Sequence, residues 1–268
     1  MKHTKYITLL LLVFASLSST LGWAGQHVYL MAGQSNMMGL GNSRQLPSGY
    51  RQHPKNVTFI YQGRVQTLGR YSRFGPELSF AHQVSRAFPN DQHTIIKFAA
   101  TGSHIQQWLP GQHYYRSMLR QLELSFQQTP PRIDAIFWMQ GESDAKNSFR
   151  ASRYAGKLSR FIHSLRRDIR SPHSLFIMGQ VNPQSHGYPM VNVVQKGQQT
   201  VNQQVHNTQL ISSHGLQKRF DKIHYNTQGQ LELGRRFAAA YINHQRNIHK
   251  QPLQARLRAE ILSLLRRH

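Results

Sequence analysis

Ser35 lies in a polar turn sequence directly after an apolar segment, residues 28–32, that predicts a buried strand. The hydroxyl of a serine in such a turn lies at the carboxyl end of the strand, and Gly33 allows the backbone to turn sharply there. A nucleophilic serine needs this position. The turn is not a Gly-x-Ser-x-Gly pattern, because residue 37 is methionine, and serine and asparagine also form ordinary turns.

A candidate for the general base is His224, which Asp221 precedes by three residues. At this spacing a carboxylate can accept a hydrogen bond from Nδ1 of the imidazole, which fixes the tautomer and leaves Nε2 free to face a serine. The chain has 16 histidines, so the pair by itself also fits a surface turn before the last predicted helix. The Asp221–His224 pair therefore indicates a catalytic site only together with the other candidate groups.

Two further groups follow predicted strands and can stabilise a negatively charged oxygen. Gly102 follows the predicted strand 94–99 and can offer its backbone N–H, although glycine also serves plain turns. Gln140 follows the predicted strand 135–139 and can donate its side-chain amide N–H to the same oxygen. Glu142, one of only 10 acidic residues, is interpreted as a brace between neighbouring loops.

Ser143 is the alternative nucleophile. Residues 141–145 match Gly-x-Ser-x-Gly, the nucleophile turn of α/β-hydrolases, in all but the last position, which is alanine. An acid and His224 follow this serine in the order that such enzymes use. The missing glycine argues against this interpretation.

Apolar segments of two periodicities alternate along the chain after residue 24. Strands are predicted over residues 28–32, 57–61, 94–99, 135–139 and 175–178, with 209–212 as a candidate edge strand, and helices over 76–88, 114–126, 154–169, 191–205 and 228–242. This alternation predicts an α/β fold, a three-layer α/β/α sandwich with a central, mostly parallel sheet of about five strands. Ligand sites in such sheets lie beyond the carboxyl ends of the strands.

The first 24 residues have the composition of a targeting segment. Two lysines precede an apolar run over residues 7–17, and small residues precede an expected cut after Ala24. The run is shorter than the roughly 20 residues that a membrane-spanning helix needs. We therefore interpret residues 1–24 as a cleavable signal peptide and expect a secreted or periplasmic protein with one domain over residues 25–245.

Composition restricts the partners and the chemistry. The 268-residue chain has no cysteine, which excludes disulfides, thiolate metal sites and a cysteine nucleophile. Lys and Arg number 33 against 10 Asp and Glu, a net charge of +23 that favours contact with an anionic polymer or a membrane surface. The expected export argues against a specific nucleic-acid partner. A polyanion-binding surface protein with a vestigial hydrolytic site is therefore an alternative function.

The C-terminal stretch, residues 246–268, carries leucines at helical spacing among arginines. This pattern predicts a basic amphipathic helix. Such a helix either packs on the domain or contacts an anionic membrane or partner.

Four blocks of the sequence together resemble the SGNH (GDSL-like) hydrolase superfamily, over about residues 27–240. The resemblance is nearer to the branch that contains sialate O-acetylesterases and the acetylxylan esterases of carbohydrate esterase family six. The residues that carry it are Gly33-Gln34-Ser35-Asn36-Met37, Phe74-Gly75-Pro76-Glu77, Trp138-Met139-Gln140-Gly141-Glu142 and the stretch from Asp221 to Gly229. Their conjunction in this order is far more specific than any single block.

The resemblance implies an SGNH, flavodoxin-like fold and a role for each matched residue. Ser35 would be the nucleophile, His224 its general base and Asp221 the acid that orients the base. The oxyanion hole would comprise the backbone N–H groups of Ser35 and Gly102 and the side chain of Gln140. The implied reaction is removal of O-acetyl groups from carbohydrates of the sialic acid or xylan type through an acyl-enzyme, with no metal or organic cofactor.

The resemblance also leaves the substrate open in two respects. Thr101 replaces a glycine that relatives often carry, so the pocket beside Gly102 is expected to be narrower. A short-chain lipid ester is the alternative substrate, because apolar side chains can line a slot near the candidate site, namely Met37, Met38, Trp108 and Tyr114.

Overall fold

The computed structural model describes residues 25–126 and 131–265, and for residues 249 and 251–265 it describes the backbone alone. The expected signal peptide, residues 1–24, lies outside the described residues, as do the last three residues of the predicted basic helix. Among the helices that are described, none is both long and apolar enough to cross a membrane.

The described chain alternates strands and helices from its first residues onward. The strands are β1 (Gln26–Gly33), β2 (Gly41–Asn42), β3 (Val57–Tyr61), β4 (Arg64–Gln66), β5 (Arg73–Phe74), β6 (Gln92–Ala99), β7 (Ala135–Met139), β8 (Leu175–Gly179) and β9 (Thr208–Ile211). The helices are α1 (Ser35–Met38), α2 (Glu77–Ala87), α3 (His113–Ser125), α4 (Ser148–Ser152), α5 (Tyr154–Asp168), α6 (Val191–Gln204) and α7 (Thr227–Leu265).

One large sheet has the strand order β4-β3-β6-β1-β7-β8-β9 and is parallel except for β4, which pairs antiparallel with β3. The predicted α/β class with a mostly parallel sheet is therefore confirmed, but the sheet has seven strands rather than about five. The candidate edge strand is real and becomes β9. The strand missed was β4, because its three residues are too few and too exposed to show an apolar alternation.

Consecutive side chains of β7 point to opposite faces of the sheet and explain its two helical layers. Phe137 packs against Phe80 of α2, with ring centroids 4.5 Å apart, and against Phe237 of α7 at 5.4 Å. Trp138, the next residue, packs on the other face against Phe161 of α5 at 4.6 Å. Strands buried on both faces in this way give the continuous apolar sequences from which they were predicted.

The register of the three central strands brings their carboxyl ends to one level. Gly33 of β1 pairs with Ala99 of β6 and with Met139 of β7. A Cβ at Gly33 would overlap the carbonyl oxygen of Met139, so only glycine fits this end of the strand. The segments after the three strands therefore meet at one edge of the sheet, as the candidate residues require.

The last helix is longer than predicted. It runs from Thr227 to Leu265 as one element, whereas the sequence predicted a helix over 228–242 and a separate one over 246–268. Residues 243–247 are polar and end the apolar periodicity, but they contain no helix-breaking residue. The amphipathic character of the C-terminal part stays a prediction.

Candidate active site

The structure brings Ser35, His224 and Asp221 together at the carboxyl edge of the sheet. Nε2 of His224 lies 2.9 Å from Oγ of Ser35, and Nδ1 of His224 lies 2.7 Å from Oδ2 of Asp221. Ser35 is the first residue of α1, and only Gln34 separates it from the end of β1. An imidazole in this position can take the proton of a serine hydroxyl and so create a nucleophile.

The turn from Asp221 to His224 is closed by its own hydrogen bonds. Oδ1 of Asp221 accepts from the backbone N–H groups of Ile223 and His224, both at 2.9 Å. Lys222 lies in the left-handed region, with φ of 58°, which allows the acid to reach back to the ring. The carboxylate therefore accepts three hydrogen bonds within one turn.

These hydrogen bonds determine the ionisation of the acid. Burial alone would raise the pKa of Asp221, but the hydrogen bonds from the His224 ring and from the two backbone N–H groups outweigh it and lower the pKa. Asp221 therefore stays ionised at neutral pH, and the proton on the facing side of the imidazole stays on Nδ1.

Asn36 connects the serine turn to the histidine turn. Its Nδ2 donates to the carbonyl oxygen of Ile223 at 3.2 Å and to Oε1 of Glu142 at 2.7 Å. Its Oδ1 accepts from the backbone N–H of Tyr225 at 3.1 Å. The residues on both sides of His224 are thus hydrogen-bonded to the neighbour of Ser35.

Glu142, which the sequence analysis interpreted as a brace, is buried and hydrogen-bonded to Asn36. Its side chain is 1% exposed, and burial raises the pKa of its carboxyl. Oε1 accepts from Asn36, and Oε2 has no partner among the described residues. Because the carboxyl group does not reach the cleft, we assign Glu142 a positioning role.

Asn36→Ala is expected to lower kcat for hydrolysis of p-nitrophenyl acetate about 10²-fold and to leave KM for this ester nearly unchanged. The variant loses the bonds on both sides of His224, so the imidazole moves relative to Ser35, and displacements of about 1 Å can cost this much rate. Asn56→Ala is the matched control. It also removes amide bonds to backbone oxygens, those of Phe88, Pro89 and Asp91, but outside the site. Equal loss of kcat in both variants would contradict the positioning role.

Two backbone N–H groups are available to an oxyanion. Those of Ser35 and Gly102 have no acceptor among the residues that the structure describes. Ala100 donates its N–H to the carbonyl oxygen of Gly33 at 2.9 Å, which places the turn with Gly102 beside the turn with Ser35. Gly102 has φ of 72°, a left-handed conformation that glycine adopts without strain.

The side chain of Gln140 differs from its expected role. It is fully buried, and its Nε2 donates to Oδ2 of Asp144 at 2.7 Å and to the carbonyl oxygen of Ser103 at 3.0 Å. Both amide hydrogens therefore have acceptors inside the protein, and the geometry does not offer this group to an oxyanion. The sequence could not show this, because the acceptors come from the fold around Gln140 rather than from its own position.

Gln34 is a site residue that the sequence analysis did not assign. Its side chain is 3% exposed, and its Oε1 accepts from the backbone N–H of Gly141 at 3.2 Å and from Nε2 of Gln140 at 3.3 Å. These bonds join the turn after β1 to the turn after β7. The available signal was its place beside Ser35 in the first matched block.

Asp144 makes stability depend on pH. Burial raises the pKa of its carboxyl from 3.8 to about 6, against the hydrogen bonds from Gln140 and Ile105. Between these values the folded protein binds the proton and the unfolded chain does not, so the free energy of unfolding falls as pH rises. By pH 7 the free energy of unfolding has lost about 3 kcal/mol through this one carboxyl group.

Asp144→Asn is expected to remove most of the fall in the free energy of unfolding between about pH 4 and pH 7, because an amide does not titrate in this range. Oδ1 of asparagine can still accept the hydrogen bonds from Gln140 and Ile105 that Oδ2 of Asp144 accepts. Urea unfolding at about pH 4 and pH 7 measures this change in the free energy of unfolding. Asp168→Asn is the control, because the hydrogen bonds from Tyr115 and Arg167 outweigh burial and lower the pKa of Asp168. A parent and an Asp144→Asn variant with equal pH dependence would contradict the assignment.

A cleft of about 470 Å³ opens over Ser35 and His224. Its remaining lining residues are Met38, Gly39, Leu40, Phe59, Tyr61, Tyr71, Arg73, Glu77, Lys97 and Thr101. Of the four side chains expected to form an apolar slot, only Met38 lies here. Met37 and Trp108 are fully buried in the core, and Tyr114 packs against Trp108.

A buried ion pair forms part of the cleft wall and was not predicted. Nζ of Lys97 lies 2.8 Å from Oε2 of Glu77 and donates to the carbonyl oxygen of Met38 at 2.7 Å. Oε1 of Glu77 accepts from the backbone N–H of Gly75 at 2.9 Å. The pair thereby ties the end of α1 to β6 and to the start of α2.

Ser143, the alternative nucleophile, does not contact the histidine. The structure pairs His224 with Ser35 instead. Ser143 is 7% exposed, and its backbone N–H lies 3.5 Å from Oε1 of Gln34. This geometry favours the Ser35 hypothesis.

Comparison with known proteins identifies the family of this chain. The family model described as carbohydrate esterase, sialic acid-specific acetylesterase matches residues 25–243. A probable carbohydrate esterase of Arabidopsis thaliana is 30% identical over 177 residues, which cover 65% of this chain and 66% of that protein. The chain thus spans just under two thirds of the length of this curated relative.

Solved structures share the fold. A protein from Arabidopsis thaliana has a TM-score of 0.70 at 24% identity, over 82% of this chain and 98% of that one. NanS has a TM-score of 0.66 at 14% identity, over 83% of this chain and 98% of NanS. A carbohydrate acetylesterase from Xanthomonas citri has a TM-score of 0.61 at 16% identity, over 79% of this chain and 54% of that one. Because the family match covers most of the sequence and includes all four blocks, the chain belongs to the sialic acid-specific acetylesterase family of carbohydrate esterases.

Proposed function

We propose that this protein is a serine esterase that removes O-acetyl groups from carbohydrates through an acetyl-enzyme. The observation that carries the proposal is the 2.9 Å approach of Nε2 of His224 to Oγ of Ser35, in a chain of a carbohydrate esterase family. Asp221 on the far side of the imidazole completes the arrangement that activates serine in hydrolases.

The proposed reaction has two halves. His224 takes the proton of Ser35 as Oγ attacks the acetyl carbonyl carbon, and the tetrahedral oxyanion forms against the N–H groups of Ser35 and Gly102. When the C–O bond to the sugar breaks, His224 gives its proton to the sugar oxygen and the acetyl group stays on Ser35. Water then attacks the acetyl carbon with His224 as base, the bond from that carbon to Oγ of Ser35 breaks, and His224 gives the proton to Oγ as acetic acid leaves. Losing one oxyanion donor typically costs about 10²–10³ in rate.

The cleft supports a sugar substrate with an acidic group. Tyr61 and Tyr71 offer aromatic side chains beside Ser35, and Arg73 is exposed with no carboxylate partner among the described residues. An unpaired guanidinium is suited to a carboxylate. The family description names sialic acid, which agrees with this charge. We therefore place an O-acetylated sialic acid before acetylated xylan.

Acetate release from defined substrates tests this proposal. The purified protein should release acetate from O-acetylated N-acetylneuraminic acid faster than from acetylated xylo-oligosaccharides. Hydrolysis of p-nitrophenyl butyrate without acetate release from either sugar would support the short-chain lipid ester instead. No hydrolysis of any ester would contradict the proposed activity.

The proposal includes export of the protein after cleavage of residues 1–24. Its support is the composition of that segment and a family match that begins at residue 25. Expression of the full chain in a bacterial host, followed by N-terminal analysis of the periplasmic and medium fractions, should give a mature protein that begins at Gly25. Uncleaved protein in the cytoplasmic fraction would contradict it.

A further inference from the structure

Arg166 of α5 carries a buried positive charge without a counter-charge. It is 6% exposed, and its guanidinium donates to the carbonyl oxygens of Ser174, His206 and Asn207 at 2.7–3.1 Å. Burial lowers the pKa of this group, but arginine remains protonated at neutral pH. No carboxylate in the described part of the chain forms an ion pair with it. The carbonyl oxygens satisfy most of its N–H groups but carry no net negative charge, so the positive charge attracts an anion in the neighbouring cleft.

Arg166 forms part of the wall of a cleft of about 590 Å³. This volume lies within the range of about 300–1,000 Å³ that ligand sites occupy. The other lining residues are His163, Arg167, Arg170, Pro172, Gln204 and His206. Arg167 also pairs with Asp168 at 2.9 Å, whereas Arg170 has no carboxylate partner among the described residues.

The cleft lies at the opposite edge of the sheet from Ser35. Ser174 and Asn207 directly precede β8 and β9, so Arg166 reaches the amino ends of these strands. The candidate catalytic residues follow the carboxyl ends of parallel strands. A strand of five residues spans about 17 Å, which separates the two sites by more than the width of one sugar.

We propose that this cleft, formed by His163, Arg166, Arg167, Arg170 and His206, binds an anionic polysaccharide. Guanidinium groups bind carboxylate and sulfate through hydrogen bonds, which Arg170 and the terminal nitrogens of Arg167 can supply here. Arg166 adds a positive charge to the wall, and His163 and His206 add two imidazoles. A membrane surface fits less well, because none of the large exposed apolar side chains among the described residues lies in the cleft, and helices that bind membranes insert such side chains. The site gives the net charge of +23 a local function that does not depend on the esterase reaction.

A charge-matched pair of variants tests the proposal. Arg167→Gln/Arg170→Asn removes two lining charges, and asparagine suits the φ of 53° at Arg170. Lys55→Gln/Arg64→Gln removes two exposed charges beside β3 and β4, which lie at the opposite end of the strand order from β8 and β9. Calorimetric titration with a heparin-derived octasaccharide should show binding to the parent, binding at least about tenfold weaker in the first variant, and a change of less than about twofold in the second. Thermal unfolding of all three proteins verifies that they are folded.

Three results would overturn the proposal. Equal weakening in both variants would mean that diffuse surface charge binds the polymer. A parent that does not bind the octasaccharide would exclude the ligand class. Binding of phosphatidylglycerol vesicles that requires Arg167 and Arg170, without octasaccharide binding, would assign the cleft to membranes. Because the titration does not require turnover, none of these results depends on whether the protein is an esterase.

Discussion

Ser35→Ala is expected to lower kcat for p-nitrophenyl acetate by at least about 10⁴-fold, because the substitution removes the atom that forms the acetyl-enzyme. The variant keeps the backbone N–H of residue 35 and the cleft around it, so KM should change little. Ser35 is 5% exposed, and the methyl group of alanine occupies the position of the serine Cβ, so thermal stability should be preserved.

Ser143→Ala is the matched control for this experiment. Ser143 is also a nearly buried serine beside the same turns, yet the described hydrogen bonds of the His224 ring go to Ser35 and Asp221 and not to Ser143. Its replacement should leave kcat within about threefold of the parent, as substitutions that do not touch reacting atoms do. Loss of activity in Ser143→Ala alone would transfer the nucleophile to the Gly-x-Ser-x-Ala sequence and remove the basis of the mechanism.

Asp221→Asn is expected to lower kcat about 10⁴-fold, the size of effect known for the corresponding change in serine protease triads. Asparagine can keep Oδ1 as the acceptor for the N–H groups of Ile223 and His224. Its amide NH₂ then faces Nδ1 of His224 and makes that nitrogen the acceptor. The proton moves to Nε2, and the imidazole can no longer accept the proton of Ser35.

A second carboxylate–histidine pair in the protein provides the control. Oδ2 of Asp91 lies 3.1 Å from Nε2 of His27, and Oδ1 accepts from the backbone N–H of Gly25 at 2.8 Å. Asp91→Asn therefore disturbs a similar pair away from the cleft and should leave kcat unchanged. An Asp221→Asn variant that retains a tenth of the parental kcat would show that the acid does not orient the base.

The sequence was sufficient to predict where site residues lie when they follow the carboxyl end of a strand. Apolar segments predicted β1, β6 and β7, and a parallel arrangement of these strands brings the turns after them to one edge of the sheet. Ser35 and Gly102 could therefore be placed from their positions after strands. The Asp-x-x-His spacing likewise determines its own geometry, since both residues lie in one turn.

Groups whose surroundings come from several segments could not be predicted in this way. The amide of Gln140 faces Asp144 and Ser103 rather than the cleft, and this direction depends on acceptors from two loops. Lys97 occupies a position in a buried strand where an apolar residue is usual, and only its tertiary partner Glu77 explains it. The cleft around Arg166 combines residues separated by up to 43 positions, which composition alone could indicate only as excess charge.

Covalent labelling of the nucleophile tests the central claim most directly. The parent protein is treated with a fluorophosphonate ester, which reacts with activated serines, and the labelled residue is identified by peptide mass spectrometry. We predict a single phosphonylated residue, Ser35, with loss of p-nitrophenyl acetate hydrolysis in proportion to labelling, and slower labelling of Asp221→Asn than of the parent. A label on Ser143, or full labelling of Ser35 with hydrolysis retained, would contradict the assignment of Ser35 as the nucleophile.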